Sequence, residues 1–191
     1  WLNESFAEWA STTCQAEATQ WATAWTTFST HEKSWAYRQD QLSSTHPIVA
    51  EIRDLADVEV NFDGITYAKG ASVLRQLVAW VGQENFMVGV RAYIAKHAWQ
   101  NTELPDLMTE LEAASGRDLS EWTRVWLETS GVNTLRTEVE TDEAGTITAL
   151  RLRRAGARVT LVTKGVGGLQ LGQGTIDLLG YDPERVTNPA K

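Results

Sequence analysis

The stretch Phe62-Asp63-Gly64-Ile65-Thr66-Tyr67-Ala68-Lys69-Gly70-Ala71-Ser72-Val73-Leu74 decides how this chain is read. From Tyr67 onward, Gly70, Ala71, Leu74, Leu77, Val78 and Val81 fall at the three- and four-residue steps of one helix face. Asp63 stands just upstream, where a short carboxylate can accept from the backbone N–H groups that a helix start leaves open. The spacing predicts a helix buried on one side and ending near Gly82.

On the C-terminal side the same period continues. A second helix is expected from about Glu84 to His97, with Phe86, Val90, Tyr93, Ile94 and His97 as its stripe. A third, Leu104 to Ala114, has Pro105 in its first turn and Gly116 just past its end, the usual asymmetry of these two residues. A fourth follows Asp118 and carries Leu119, Trp122, Val125 and Trp126. On the N-terminal side the first thirty-odd residues also read as helix, with Phe6, Trp9, Ala10 and Thr13 on one face and Trp21, Trp25 and Phe28 further on. Between Gln39 and Asn61 the pattern lapses, and His46-Pro47 calls for a loop. Helices joined by short loops imply an antiparallel, bundle-like array.

After Gly131 the period changes to two. Thr134–Glu140 and Thr146–Arg153 flank Asp142-Glu143-Ala144-Gly145 and read as a hairpin. Val159–Thr163 and Thr175–Leu179 are further strand candidates. The glycines between them, Gly165, Gly167, Gly168, Gly172 and Gly174, form no phosphate-binding fingerprint, because no strand–loop–helix unit surrounds them. Asp182–Lys191 reads as a frayed tail. The expected class is α+β, mainly α: a helical region over 1–133, a β-rich region over 134–181 and a tail over 182–191.

Composition sets the limits. The 191 residues are 42% hydrophobic and 22% charged, ordinary for a globular protein and too apolar for a disordered one. No apolar run is long enough to span a bilayer, and no signal peptide is evident. The net charge of -8 argues against a nucleic-acid binder that works by neutralising phosphates. A lone cysteine, Cys14, excludes an internal disulfide and a cysteine-based zinc site, and fits a cytoplasmic location. With no Lys or Arg near it in sequence, Cys14 reads as a buried, inert thiol. The acidic surplus is concentrated before residue 136, as are all nine tryptophans.

Glu4 and Glu8 share one helical face, for which a solvated acidic surface is the ordinary reading. The letters around them change that. Trp1-Leu2-Asn3-Glu4-Ser5-Phe6-Ala7 resembles the segment that supplies the third zinc ligand in the gluzincin aminopeptidases, the family of aminopeptidase N, puromycin-sensitive aminopeptidase and leukotriene hydrolase. Ser43-Ser44-Thr45-His46-Pro47-Ile48 looks like that family's Ser-Ser-x-His-Pro loop. The stretch around Tyr67-Ala68-Lys69-Gly70-Ala71 is similar to its Tyr-x-Lys-Gly-Ala helix start.

The resemblance runs over roughly 1–140 and implies the helical C-terminal part of a thermolysin-like catalytic domain, followed by part of a β-sandwich. It implies that Glu4 is a metal ligand, a carboxylate that completes a two-histidine zinc site with an open position for water. It implies that Tyr67, 63 residues further on, donates a hydrogen bond to the oxyanion formed when the activated water attacks a peptide carbonyl. Glu8 receives no role, and Lys69 and Gly70 are assigned to helix packing and solvent contact. His31, His46 and His97 form no His-x-x-x-His pair and read as a surface, a loop and a helix-end residue.

The family's His-Glu-x-x-His and Gly-x-Met-Glu-Asn motifs do not occur in these residues. The chain begins on Trp1 and reads as a piece of a longer zinc aminopeptidase acting on peptide N-termini. By itself it is expected neither to hydrolyse peptides nor to hold zinc tightly. The competing reading is a non-catalytic helical scaffold or interaction module that kept the family's packing.

Overall fold

The computed structural model describes residues 1–132 and 135–154. They are mainly helical, with one antiparallel pair of strands, the α+β class expected. The chain divides into two compact units, the first covering Trp1–Gly131 and the second beginning at Val132.

In the first unit α1 spans Leu2–Ala18, α2 Ala24–Thr30, α3 Glu32–Asp40 and α4 Leu55–Asn61. The opening helical stretch is therefore three helices rather than one. Thr19 is extended at the end of α1, and the chain turns through Trp21 before α2. The seven-residue α4 lies inside the segment read as irregular. None of its residues is buried: Leu55 and Val60 are exposed and Val58 is half-buried, and seven residues are too few for a period to stand out. Asp54 caps it by accepting from the Asp57 N–H at 3.0 Å.

The decisive stretch also differs in detail. Ile65–Lys69 is a π-helical turn, and α5 starts only at Gly70, running to Val81. In this turn the Lys69 N–H donates to the Gly64 carbonyl five residues back, at 2.9 Å. Beyond it the predicted stripe holds: Gly70, Ala71, Leu74, Leu77 and Val81 are buried, while Val78 is half-buried. Gly82, at φ 88, ends the helix.

Next come α6 (Gln83–His97), α7 (Leu104–Ser115) and α8 (Ser120–Leu127). On α6 Phe86 and Val90 are buried, but Ile94, read as part of the stripe, is exposed. Glycine at position 89 explains the packing of α6 on α7, since a Cβ there would stand 3.0 Å from the Glu110 carbonyl oxygen and 3.1 Å from Leu111 Cα. The α7 helix begins with a reciprocal cap between Glu103 and Asp106 and ends on Gly116 in the left-handed region, φ 68. Phe86, Leu74, Leu77, Leu111, Leu119 and Leu127 are fully or almost fully buried and form the core.

In the second unit β1 (Leu135–Thr141) pairs antiparallel with β2 (Ile147–Arg154), with a register shift at Glu140/Thr141. The Asp142 side chain accepts from the Ala144 and Thr146 N–H groups, and Gly145 supplies the positive φ, 79, that closes the turn. The strand candidates at 159–163 and 175–179, the glycine-rich segment and the 182–191 tail lie outside the described residues.

Candidate functional site

The two segments singled out in the sequence meet. Ser5, the residue after Glu4, is fully buried and donates its hydroxyl to the Thr66 carbonyl, the residue before Tyr67, at 2.6 Å. Such an approach needs a residue without a side chain opposite. A Cβ built on Gly70 would fall 1.9 Å from Ser5 Oγ and 2.8 Å from Ser5 Cβ. Glycine at 70 therefore lets α1 lie directly against the start of α5, which fixes Glu4 and Tyr67 in relation to each other.

The turn carrying Tyr67 is anchored at both ends as well. At its start Asp63 is buried, and its Oδ1 accepts from the Ile65 and Thr66 N–H groups at 2.8 and 3.0 Å. Its Oδ2 accepts from Gln39 Nε2 at 2.6 Å and faces His46 Nε2 at 2.9 Å. The Gln39 amide works in both directions, its Oε1 also accepting from the Gly64 N–H at 2.8 Å. His46 Nδ1 lies 2.7 Å from the Pro47 carbonyl oxygen. The predicted cap at Asp63 is thus present, within a larger set of partners that ties α3 and the 41–54 loop to the turn.

At the other end Lys69 pairs with Asp40 at 2.8 Å. The Asp40 side chain is 3% exposed and that of Lys69 16%, so this lysine faces a buried carboxylate and not the solvent expected for it. Asp40 also accepts from Thr45 Oγ1 at 2.6 Å and from the Gly131 N–H at 3.0 Å.

Within this frame the two candidate residues keep their reactive groups open. Glu4 is half-buried and makes no hydrogen bond or ion pair among the described residues. Tyr67 is half-buried too. Its ring rests beside Phe62, with centroids 6.1 Å apart, and its hydroxyl has no hydrogen-bond partner among the described residues.

As to a metal, no group of three His, Cys, Asp or Glu side chains placed to hold one occurs among the described residues. Glu4 offers a single carboxylate, so this set of donors does not by itself fit a zinc ion, whose sites take three or four protein ligands.

The other sequence candidates fall elsewhere. Glu8 lines a groove with Thr12, Trp21, Thr27, Phe28 and Glu32 that includes neither Glu4 nor Tyr67. Partial burial, and then the nearby Glu32 carboxylate, push the Glu8 carboxyl above the usual glutamate range. Cys14 is exposed, contrary to the buried thiol expected, because it lies on the outward side of α1 from Ser5, Trp9 and Thr12. His97 lies at the end of α6, 3.9 Å from Asp106. The supporting residues Ser5, Gln39, Asp40 and His46 were not legible as such. Their hydrogen bonds to Thr66, Asp63 and Gly131 span 17 to 91 positions in the chain, and of these residues only the His46 loop carried a motif.

Residues 1–126 match the peptidase family M1 domain, and the chain belongs to that family. Aminopeptidase N of Streptomyces lividans is 58% identical over 167 residues, 86% of this chain and 20% of that protein. Leucyl aminopeptidase of Saccharolobus solfataricus is 38% identical over 139 residues, 73% of this chain and 18% of that protein. Tricorn protease-interacting factor F2 of Thermoplasma volcanium is 36% identical over 137 residues, 71% and 17% respectively. The chain thus spans about a fifth of the length of these relatives. Among the described residues no helix is long and apolar enough to cross a membrane.

Proposed function

We propose that this chain forms part of the catalytic domain of a zinc aminopeptidase that removes N-terminal residues from peptides in the cytoplasm. In this reading residues 1–133 are the helical part of that domain, Glu4 is its third metal ligand, and Tyr67 stabilises the oxyanion. The observation that carries the reading is the buried Ser5–Thr66 hydrogen bond. It couples the neighbours of both residues, while the Glu4 carboxylate and the Tyr67 hydroxyl have no partners among the described residues.

The chemistry each would perform follows from its side chain. A carboxylate is an oxygen ligand that suits a zinc site shared with imidazoles, and the remaining ligands belong to parts of the enzyme other than these residues. Zinc, when bound, supplies a Lewis acid that polarises a carbonyl and makes water a nucleophile near neutral pH. As negative charge gathers on the substrate oxygen, the Tyr67 hydroxyl donates a hydrogen bond that is stronger in the transition state than in the ground state. Removing one donor of this kind costs about 2.7–4 kcal/mol, roughly a hundred- to a thousandfold in turnover.

In the longer protein that contains this chain, Glu4→Ala should release the metal. Zinc content measured by atomic absorption is expected to fall well below one ion per molecule. Full occupancy in that variant would remove Glu4 from the ligand set, whereas no zinc in the unaltered longer protein would favour the reading as a non-catalytic scaffold.

A further inference from the structure

The π-helical winding of Ile65–Lys69 is a local arrangement that needs explaining. A π turn holds one residue more than an α turn, occurs mostly as an isolated bulge, and is frequent at functional sites. Here it is gripped at both ends by carboxylates from buried residues. Asp63 binds the opening N–H groups of the turn while it holds Gln39 and His46. Asp40 holds Lys69, the last residue of the turn, at 2.8 Å. Between the two grips stands Tyr67, with its hydroxyl unengaged by any described residue.

We propose that Asp63 and Asp40 are positioning residues that hold the Tyr67 turn in its π-helical winding from opposite ends, and so set where the tyrosine hydroxyl points. The inference rests on the reading of Tyr67 as the oxyanion donor.

The geometry states what losing a grip would do. Rewinding a π turn into α geometry slips one residue through the helix, a rotation of about 100° and a shift of about 1.5 Å along the axis. Misplacement of about 1 Å already costs on the order of a hundredfold in rate. Neither carboxylate has to touch substrate for this. Asp63 acts on the backbone that precedes Tyr67, and Asp40 acts through Lys69, two residues beyond it. Gln39 ends up with both of its amide atoms committed to the start of the turn, which ties that grip to α3, the helix that also ends on Asp40. The two grips therefore share one support.

The test uses the longer enzyme and alanine p-nitroanilide as substrate, with kcat, KM and zinc content measured for Asp63→Ala and Lys69→Met, each alone and combined with Tyr67→Phe. Each single variant is expected to lower kcat at least about tenfold, with KM within about twofold and zinc unchanged, as for an interaction made in the transition state. Added to Tyr67→Phe, either change should lower kcat by less than about twofold, because the hydroxyl it positions is already gone. Lys69→Met keeps the test available if Asp63→Ala does not fold. Unchanged kcat in Lys69→Met, or losses that multiply with that of Tyr67→Phe, would overturn the inference while leaving the role of Tyr67 standing. Unchanged kcat in Tyr67→Phe alone would overturn both.

Discussion

Gly70→Ala is a small substitution with an effect that can be worked out from the structure. The added Cβ would sit 1.9 Å from Ser5 Oγ and 2.8 Å from Ser5 Cβ, with Ile48 Cγ2 next at 3.7 Å. Two terms oppose each other. Alanine is the better helix former, worth up to about 1 kcal/mol at this position. Overpacking of a close contact costs about 1–3 kcal/mol. If α1 moves out to relieve it, the buried hydrogen bond from Ser5 to Thr66 is lost, at about 1–3 kcal/mol more. Repulsion wins, and the net destabilisation is about 1–5 kcal/mol. The sign should reverse when Ser5 is removed. In the Ser5→Gly background both close atoms are gone and the nearest remaining neighbour stands at an ordinary contact distance, so Gly70→Ala should be neutral or stabilising by up to about 1 kcal/mol. Urea unfolding followed by tryptophan fluorescence suits the question, because the buried Trp9 of α1 lies against Phe86 of α6, centroids 5.1 Å apart, and reports on α1 docking. A Gly70→Ala chain as stable as the parent, or equal destabilisation in both backgrounds, would refute the close approach on which the site geometry depends.

Gly89→Ala brings a Cβ against the backbone of α7, which cannot swing away like a side chain. It should therefore lower the urea midpoint with no rescue from trimming Leu111. The Glu8 carboxyl is held above its ordinary range chiefly by burial, so the folded chain binds its proton more tightly than the unfolded chain. Stability associated with this group is therefore greatest at acid pH and falls as pH rises through the glutamate range into the raised one. Glu8→Gln should stabilise the chain at neutral pH and flatten that part of the pH profile, as seen in thermal midpoints across pH 4 to 7; an unchanged profile would count against the burial of Glu8. The loss of zinc expected for Glu4→Ala, checked by metal analysis of the longer protein, joins these.

Much of the helical frame was legible because it rests on local signals. The stripe from Gly70 to Val81, Pro105 and Gly116 at the two ends of α7, and the aspartate-to-glycine turn of the hairpin each occupy a few neighbouring positions. What escaped depends on distant partners or on the lack of a stripe. The helix α4 is seven residues long and buries nothing, too short a segment for a period to mark it. The π winding at Tyr67 has the same residue types as an α turn, and the difference lies in which carbonyl each N–H reaches. Cys14 is exposed because of how α1 rolls onto α5, which the letters around it do not encode. Glu4 and Tyr67 were singled out by motif resemblance, whereas the residues that hold them, Ser5, Gln39, Asp40 and His46, act through contacts that only the folded chain brings together.

In the proposed function Tyr67 donates to the oxyanion of a reaction carried out at a metal held in part by Glu4. Turnover of an aminoacyl-anilide by Tyr67→Phe, in the longer enzyme and normalised to its zinc content, tests it most directly. Full zinc occupancy is expected, with kcat reduced roughly a hundred- to a thousandfold and KM little changed. Turnover equal to that of the unaltered enzyme at equal zinc content would contradict it.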